Sequence, residues 1–193
     1  LEAGLDSTDG DHAQGDRLLG RQLTIGLDVG GVGLFEVGRA SSGSTLAFSE
    51  AGIDPFQSSF GQNSLTSSFG QAFTRYDDMV RFSSNSIKGW KTFASYSFET
   101  GLSSNSGYNR FNTTQKDRHL SIGAAFNNGV TTFSITGDQH LSNSSNTGSE
   151  DSNILALAAG TTHDFGEFKL HGAVGMQDGG SLGNNGALGN NYA

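Results

Sequence analysis

Five histidines and a run of aspartates are the side chains of this sequence that could bind a metal ion. The histidines are His12, His119, His140, His163 and His171, and none are spaced three to five residues apart like zinc-binding pairs. The acidic run consists of Asp6, Asp9, Asp11 and Asp16, without the glycine and distal glutamate of a calcium loop at the required spacing. We therefore expect no metal site, and a solvated or cation-bridging surface loop at the acidic run.

Motifs for bond-making chemistry do not stand out either. There is no Walker loop with its lysine and no GxGxxG opening a helix, so we expect neither an enzyme nor a cofactor. The net charge of −8, from 19 acidic and 11 basic residues, argues against a nucleic-acid partner. With no cysteine, 29 glycines and 16% charged residues, the 193-residue chain is also not a disulfide scaffold, a zinc ribbon or a coiled coil.

Arginines in the segment 75–84 are better candidates for an electrostatic site. If this segment is a strand, alternation places Arg75, Asp77 and Arg81 on one face, opposite Val80 and Phe82. Both arginines are therefore expected on the polar face of the strand.

The elements that position these side chains are short alternating segments separated by glycine, asparagine and serine clusters. Leu120, Ile122 and Phe126 share one face, and the turn Asn127-Asn128-Gly129 leads into a second alternating segment. We predict an all-β chain with strands at 17–28, 32–39, 75–84, 89–100, 117–126, 130–139, 152–163 and 167–177. The outer, apolar face is predicted to carry Trp90, Phe98, Leu120, Ile122, Phe133 and Ile135.

Connections between these strands alternate between two lengths. Brief turns fall near 29–31, 85–88, 127–129 and 164–166, and long polar segments at 40–74, 101–116, 140–151 and 178–191. This alternation is typical of a transmembrane, antiparallel, up-and-down β-barrel. A transmembrane helix is not predicted, because the sequence contains no apolar run of about 18 residues. A soluble β-sandwich has a similar number of strands and remains an alternative fold.

Several strings, in strand order, resemble the Gram-negative general porins, the sixteen-stranded trimeric channels of outer membranes. They are LEAGLDSTDG at the start, DRLLGRQLTIGL at 16–27, the segment ending Glu36-Val37-Gly38-Arg39, Asp54-Pro55-Phe56, RYDDMVRFSSNSIKGW at 75–90, the hairpin at 119–136 and THDFGEFKLHGAVG. Met79 and Asp78 depart from the family's usual serine and asparagine, Asn85 from its common proline and Ala40 from a glutamine.

This resemblance implies one porin barrel domain over 1–193, truncated at both ends and covering about half of a sixteen-stranded barrel from strand three to strand twelve. It implies an outer-membrane location in a Gram-negative bacterium and passive diffusion of ions and small hydrophilic solutes. The implied partners are membrane lipid, lipopolysaccharide and, for the full-length protein, two further copies in a homotrimer. The alternative function is a soluble or cell-surface β-rich binding or adhesion module.

The resemblance also implies a pore constriction, formed where the segment 40–74 folds inward. Its length of about 35 residues is far beyond that of a hairpin loop, and Phe56, Phe60 and Phe69 are expected to hold it against the wall. The expected constriction residues are Arg21, Arg75 and Arg81 with the carboxylates Glu2, Glu50 and Asp54. Arg21 shares its parity with the apolar Leu23 and Ile25, so facing the pore requires a bulge near the strand entry.

Overall fold

The strands follow one another along the chain, and each pairs with its sequence neighbours. The computed structural model describes residues 19–53, 75–100, 117–141, 153–179 and 191–192. The elements are β1 (Leu23–Val29), β2 (Gly33–Ser41), α1 (Gly43–Glu50), β3 (Arg75–Ser84), β4 (Trp90–Ser97), β5 (Arg118–Asn127), β6 (Thr131–Leu141), β7 (Ile154–Asp164), β8 (Lys169–Gly179) and β9 (Asn191–Tyr192). All the described strands lie in one antiparallel sheet in the order β1 to β9. The predicted up-and-down arrangement is confirmed, and the described residues do not form a two-sheet sandwich.

The eight predicted strands correspond to β1 through β8, with small differences at their ends. The largest is in β1, which begins at Leu23 rather than at residue 17. Leu23 pairs with Arg39, next to the point where β2 shifts its register with β3, between Gly38 and Ala40. The regular pairing of β1 with β2 thus ends beside the irregularity in the pairing of β2 with β3.

Tight turns join the strands at one end of the sheet. In the β5–β6 turn, the Asn127 side chain accepts from the N–H of Gly129 at 2.7 Å, and Gly129 takes a φ of 88° that glycine adopts without strain. Comparable short connections join β1 to β2, β3 to β4 and β7 to β8. The longer connections therefore all leave the opposite end of the sheet, as predicted.

One face of the sheet, called here the outer face, is apolar and exposed. Directly paired residues share a face, and Ile25, Val37, Val80, Tyr96 and Leu120 form one such row across five strands. Of the side chains predicted for this face, Trp90, Phe98, Leu120, Ile122 and Ile135 are 43–58% exposed, and Phe133 is partly buried. An exposed apolar surface of this extent suits contact with lipid rather than with water.

The opposite, inner face carries the helix α1, which the sequence analysis does not predict. Ser42 caps the helix by accepting from the N–H of Thr45 at 3.3 Å, and Gly52 ends the turn after it with a φ of 57°. The helix has eight residues, and no helix within the described residues is long and apolar enough to cross a membrane.

Small residues on the inner face let the helix pack closely against the strands. Ala47, Phe48, Ala51 and Ile53 form a buried cluster with Phe93, Ala125 and Ala158. A Cβ added at Gly123 would lie 2.7 Å from the Ala47 Cβ, and one added at Gly160 would lie 2.8 Å from Ile53. Glycine is therefore required at both positions for this close approach.

Candidate functional site

The helix α1 and the turn after it cross the inner face from β4 to β8, held by polar contacts to successive strands. These are Gly43 N–H to Ser95 Oγ (2.9 Å), Ser44 N–H to Ser121 Oγ (2.7 Å), Thr132 Oγ1 to Ala51 O, Thr162 Oγ1 to Gly52 O (3.0 Å) and His171 Nδ1 with Ile53 O (3.2 Å). Residues 42–53 thus lie on the face expected for the segment 40–74. Phe56, Phe60 and Phe69 lie outside the described residues, so their expected role stays a prediction.

A buried polar cluster lies beneath the first turn of the helix. The Ser44 hydroxyl donates to Asp138 Oδ1 at 2.6 Å, and His119 Nε2 lies 3.0 Å from the same oxygen. Tyr76 stacks on the His119 ring with centroids 4.1 Å apart. His140, 2% exposed, lies beside His119 and has no hydrogen-bond partner for either ring nitrogen among the described residues. Asp138 is not among the residues expected in a site, and His119 and His140 are considered above only as metal ligands and set aside.

Arg81 lies on the inner face, and its guanidinium group is bound by other groups of the wall. Its Nε donates to Glu36 Oε2 at 2.9 Å, its Nη2 forms an ion pair with the same carboxylate, and its Nη1 donates to Ser41 O at 3.2 Å. Glu36 Oε1 accepts from Thr24 Oγ1 at 3.0 Å. Arg81 is only 5% exposed. These contacts connect β3 to β2 at Glu36 and at Ser41, the last residue of β2.

Arg75 does not share the face of Arg81, which corrects the alternation expected for β3. Gly38 pairs with Met79 but Ala40 pairs with Tyr76, and Asp78 has a φ of 43°. This bulge inserts one extra residue in β3, so Tyr76 takes the face that alternation assigns to Asp77. Arg75 therefore alternates with the buried Tyr76. At the bulge, Arg39 Nη1 binds Asp77 Oδ1 at 2.7 Å.

Of the other expected constriction residues, Glu50 and Arg21 lie within the described residues. Glu50, at the end of α1, pairs with Lys91 of β4 at 2.7 Å, with both side chains about one third exposed (35% and 34%). Arg21 precedes β1 and is partly buried. Glu2 and Asp54 lie outside the described residues. The structure thus pairs Arg81 with Glu36 and Glu50 with Lys91. It does not pair Arg81 with Glu50.

A signal for part of this cluster is present in the sequence. Ser134, Thr136, Asp138 and His140 alternate along β6 and are all buried on the inner face. A buried face made of polar residues indicates that polar groups cover it.

Within the described ranges, no group of three or more histidine, aspartate or glutamate side chains could hold a metal ion.

The chain is similar to porins in sequence and in fold. Residues 1–193 match the family model described as Gram-negative porin. An outer membrane porin protein of Bordetella pertussis is 33% identical over 174 residues, which cover 88% of this chain and 45% of that protein. An anion-selective porin from Comamonas acidovorans shares the fold, with a TM-score of 0.68 at 17% identity over 92% of this chain and 51% of that chain.

The chain thus spans about half the length of the relatives that it matches. The match runs along its whole length, and it agrees with the apolar outer face and the helix on the inner face. This chain therefore belongs to the Gram-negative porin family and is a protein of the outer membrane.

Proposed function

We propose that the intact protein forms a water-filled channel for passive diffusion of ions and small hydrophilic solutes. The observation that carries this proposal is the helix α1 lying across the polar inner face of a sheet whose outer face is apolar. In a closed barrel the inner face surrounds the lumen, so a segment packed there narrows the passage without closing it. A diffusion channel makes and breaks no bonds, so the proposal includes no enzymatic activity and no cofactor.

Planar lipid bilayers test this function directly. The intact porin, added to one side of the membrane, is expected to insert in discrete steps of conductance that increase with salt concentration. Liposome swelling should then show faster entry of small sugars than of larger ones. Folded protein that inserts into the bilayer and carries no current would contradict the proposal.

We further propose that the outer face contacts membrane lipid and lipopolysaccharide, and that three copies associate as a homotrimer. Aromatic pairs near the tight turns support the first part: the ring centroids of Trp90 and Phe126 are 5.1 Å apart, and those of Phe165 and Phe168 are 4.8 Å apart. Tyr96 and Phe98 form a similar pair towards the other end of β4. Aromatic girdles of this kind occur at both interfaces of outer-membrane barrels. Electrophoresis of unheated protein tests the trimer.

Charged side chains are proposed to set the ion preference of the channel. The proposed constriction combines Arg21, Arg75 and Arg81 of the wall with Glu2, Glu50 and Asp54, and supports a transverse field between opposite charges. Two of the three arginines depart from this arrangement: Glu36 compensates the charge of Arg81, and Arg75 does not share the inner face on which Arg81 lies.

Arg75 is the first residue of β3 and lies off the face of Arg81, so its proposed role requires its side chain to reach the lumen around the strand end; neutralising it is then expected to shift the channel towards cations. A unit charge about 8 Å from a permeating ion in water contributes about 0.5 kcal/mol, so Arg75→Ala should raise the cation-to-anion permeability ratio about twofold. Reversal potentials under a salt gradient measure this ratio. Lys88→Ala, in an exposed tight turn, is the matched control and should change the ratio less. An unchanged ratio for Arg75→Ala would remove Arg75 from the constriction.

A further inference from the structure

The first turn of α1 is bound to the barrel wall by side chains rather than left to water. Ser44 forms three hydrogen bonds to the wall: its N–H donates to Ser121 Oγ at 2.7 Å, its hydroxyl donates to Asp138 at 2.6 Å, and it accepts from the Ser121 hydroxyl at 3.0 Å. Gly43 N–H donates to Ser95 of β4. Of the N–H groups that an isolated helix leaves unsatisfied, those of Gly43 and Ser44 are therefore paired with the wall, and that of Thr45 with the capping Ser42.

Asp138 differs from the other groups in this contact because it brings a negative charge. A carboxylate beside the N-terminal turn of a helix is favoured by the helix dipole, and hydrogen bonds to a charged group are stronger than neutral ones. Asp138 is 5% exposed, and His119 Nε2 lies 3.0 Å from its Oδ1. His119 is itself packed between Tyr76 and His140, so the carboxylate is held in one orientation.

We propose that Asp138 is the positioning residue that keeps the helix α1 against the barrel wall and out of the lumen. This inference rests on the proposed channel function. In a closed barrel a helix that leaves the inner face can move only into the lumen, where it obstructs the current. Loss of Asp138 should therefore produce brief interruptions of the ionic current through an otherwise open channel.

Single-channel recording of the intact porin tests this role. Asp138→Ala removes a charge-assisted hydrogen bond, and the interruptions should become roughly tenfold more frequent than in the unmodified protein. Ser44→Ala removes the same hydrogen bond from the helix side. It replaces Asp138→Ala in the recordings if Asp138→Ala does not fold. Asp28→Ala removes an exposed carboxylate from β1, on the same face by register, and should leave the interruptions unchanged. Recordings of Asp138→Ala and Ser44→Ala that match the unmodified protein would overturn the inference.

A crosslink distinguishes positioning from general damage to the barrel. The chain contains no cysteine, so Ser44→Cys with Ser121→Cys introduces one possible disulfide within it. In the Asp138→Ala background, oxidation of this pair should restore uninterrupted current, and a reductant should bring the interruptions back. Interruptions that persist in the fully crosslinked protein would show that they do not arise from release of the helix.

A labelling experiment separates failure of this inference from failure of the proposed function, because it requires no current. Ala125, 1% exposed, lies beneath the helix. A water-soluble thiol reagent should label Ala125→Cys roughly tenfold faster when Asp138→Ala is also present, because the released helix uncovers the wall. Equal rates would overturn the positioning role, whereas Ala125→Cys protein that labels as expected and carries no current would contradict the channel instead.

Discussion

Replacing Glu36 with alanine is expected to lower the free energy of unfolding by about 3–5 kcal/mol, one of the largest effects of a single substitution in this chain. The reason is Arg81, which is 5% exposed and would remain on the inner face without its carboxylate partner. A buried charge that loses its partner retains its desolvation cost and loses the compensating attraction. The effect should therefore far exceed that of a surface ion pair.

Denaturant titration of the intact porin in lipid vesicles measures this difference. Replacing Glu36 and Arg81 together, by glutamine and methionine, should cost much less than the sum of the single changes, since neither charge is then left alone. Glu50→Ala is the matched control, because its pair with Lys91 lies on the same face but is about one third exposed (35% and 34%), and it should cost at most about 1 kcal/mol. Equal costs for Glu36→Ala and Glu50→Ala would contradict the buried pair.

Arginine in place of Ile122 is expected to destabilise the protein by about 2–4 kcal/mol, because Ile122 lies midway along β5 on the lipid-facing side. Its side chain is 58% exposed and belongs to a row with Phe82 and Ala94. A guanidinium at this depth must leave water or distort the bilayer around it. The cost should appear as a lower denaturant midpoint for the protein folded in vesicles.

The same substitution at Val130 provides the control for depth. Val130 is 53% exposed, close to the value for Ile122, but it lies in the tight turn between β5 and β6. Near the membrane interface an arginine costs about 0–1 kcal/mol. Equal costs at the two positions would contradict the orientation of the sheet in the membrane.

The strands and their faces could be predicted from the sequence because a strand has a side-chain period of two. Leu120, Ile122 and Ile135 alternate with small or polar residues, and the structure places all three on the outer face. The tight turn at Gly129 was predictable for a similar reason, since its residue types suit a positive φ. Both features depend on local sequence.

The helix α1 was not predicted, because its eight residues, most of them small, give little periodicity. Its stability comes from contacts far away in sequence, such as those of Ala47 with Gly123 and of Ser44 with Asp138. The capping serine at Ser42 was the available local signal.

The arginines show a second limit of sequence reasoning. Alternation assigned Arg75 and Arg81 to one face, but the bulge at Asp77 and Asp78 separates them. A bulge depends on pairing with the neighbouring strand, which a single strand pattern does not reveal. The pairing of Arg81 with Glu36 likewise depends on the register between β2 and β3.

The central claim is that the helix α1 lies inside a water-filled channel, and chemical modification of Ser49→Cys tests it most directly. Ser49 is exposed on the helix side facing away from the buried cluster, and the chain has no competing cysteine. A bulky, water-soluble thiol reagent should label this cysteine in the intact porin and lower the current through an open channel. Ile135→Cys, on the outer face, should be protected by lipid and leave the current unchanged. Complete labelling of Ser49→Cys with no change in current would contradict the account.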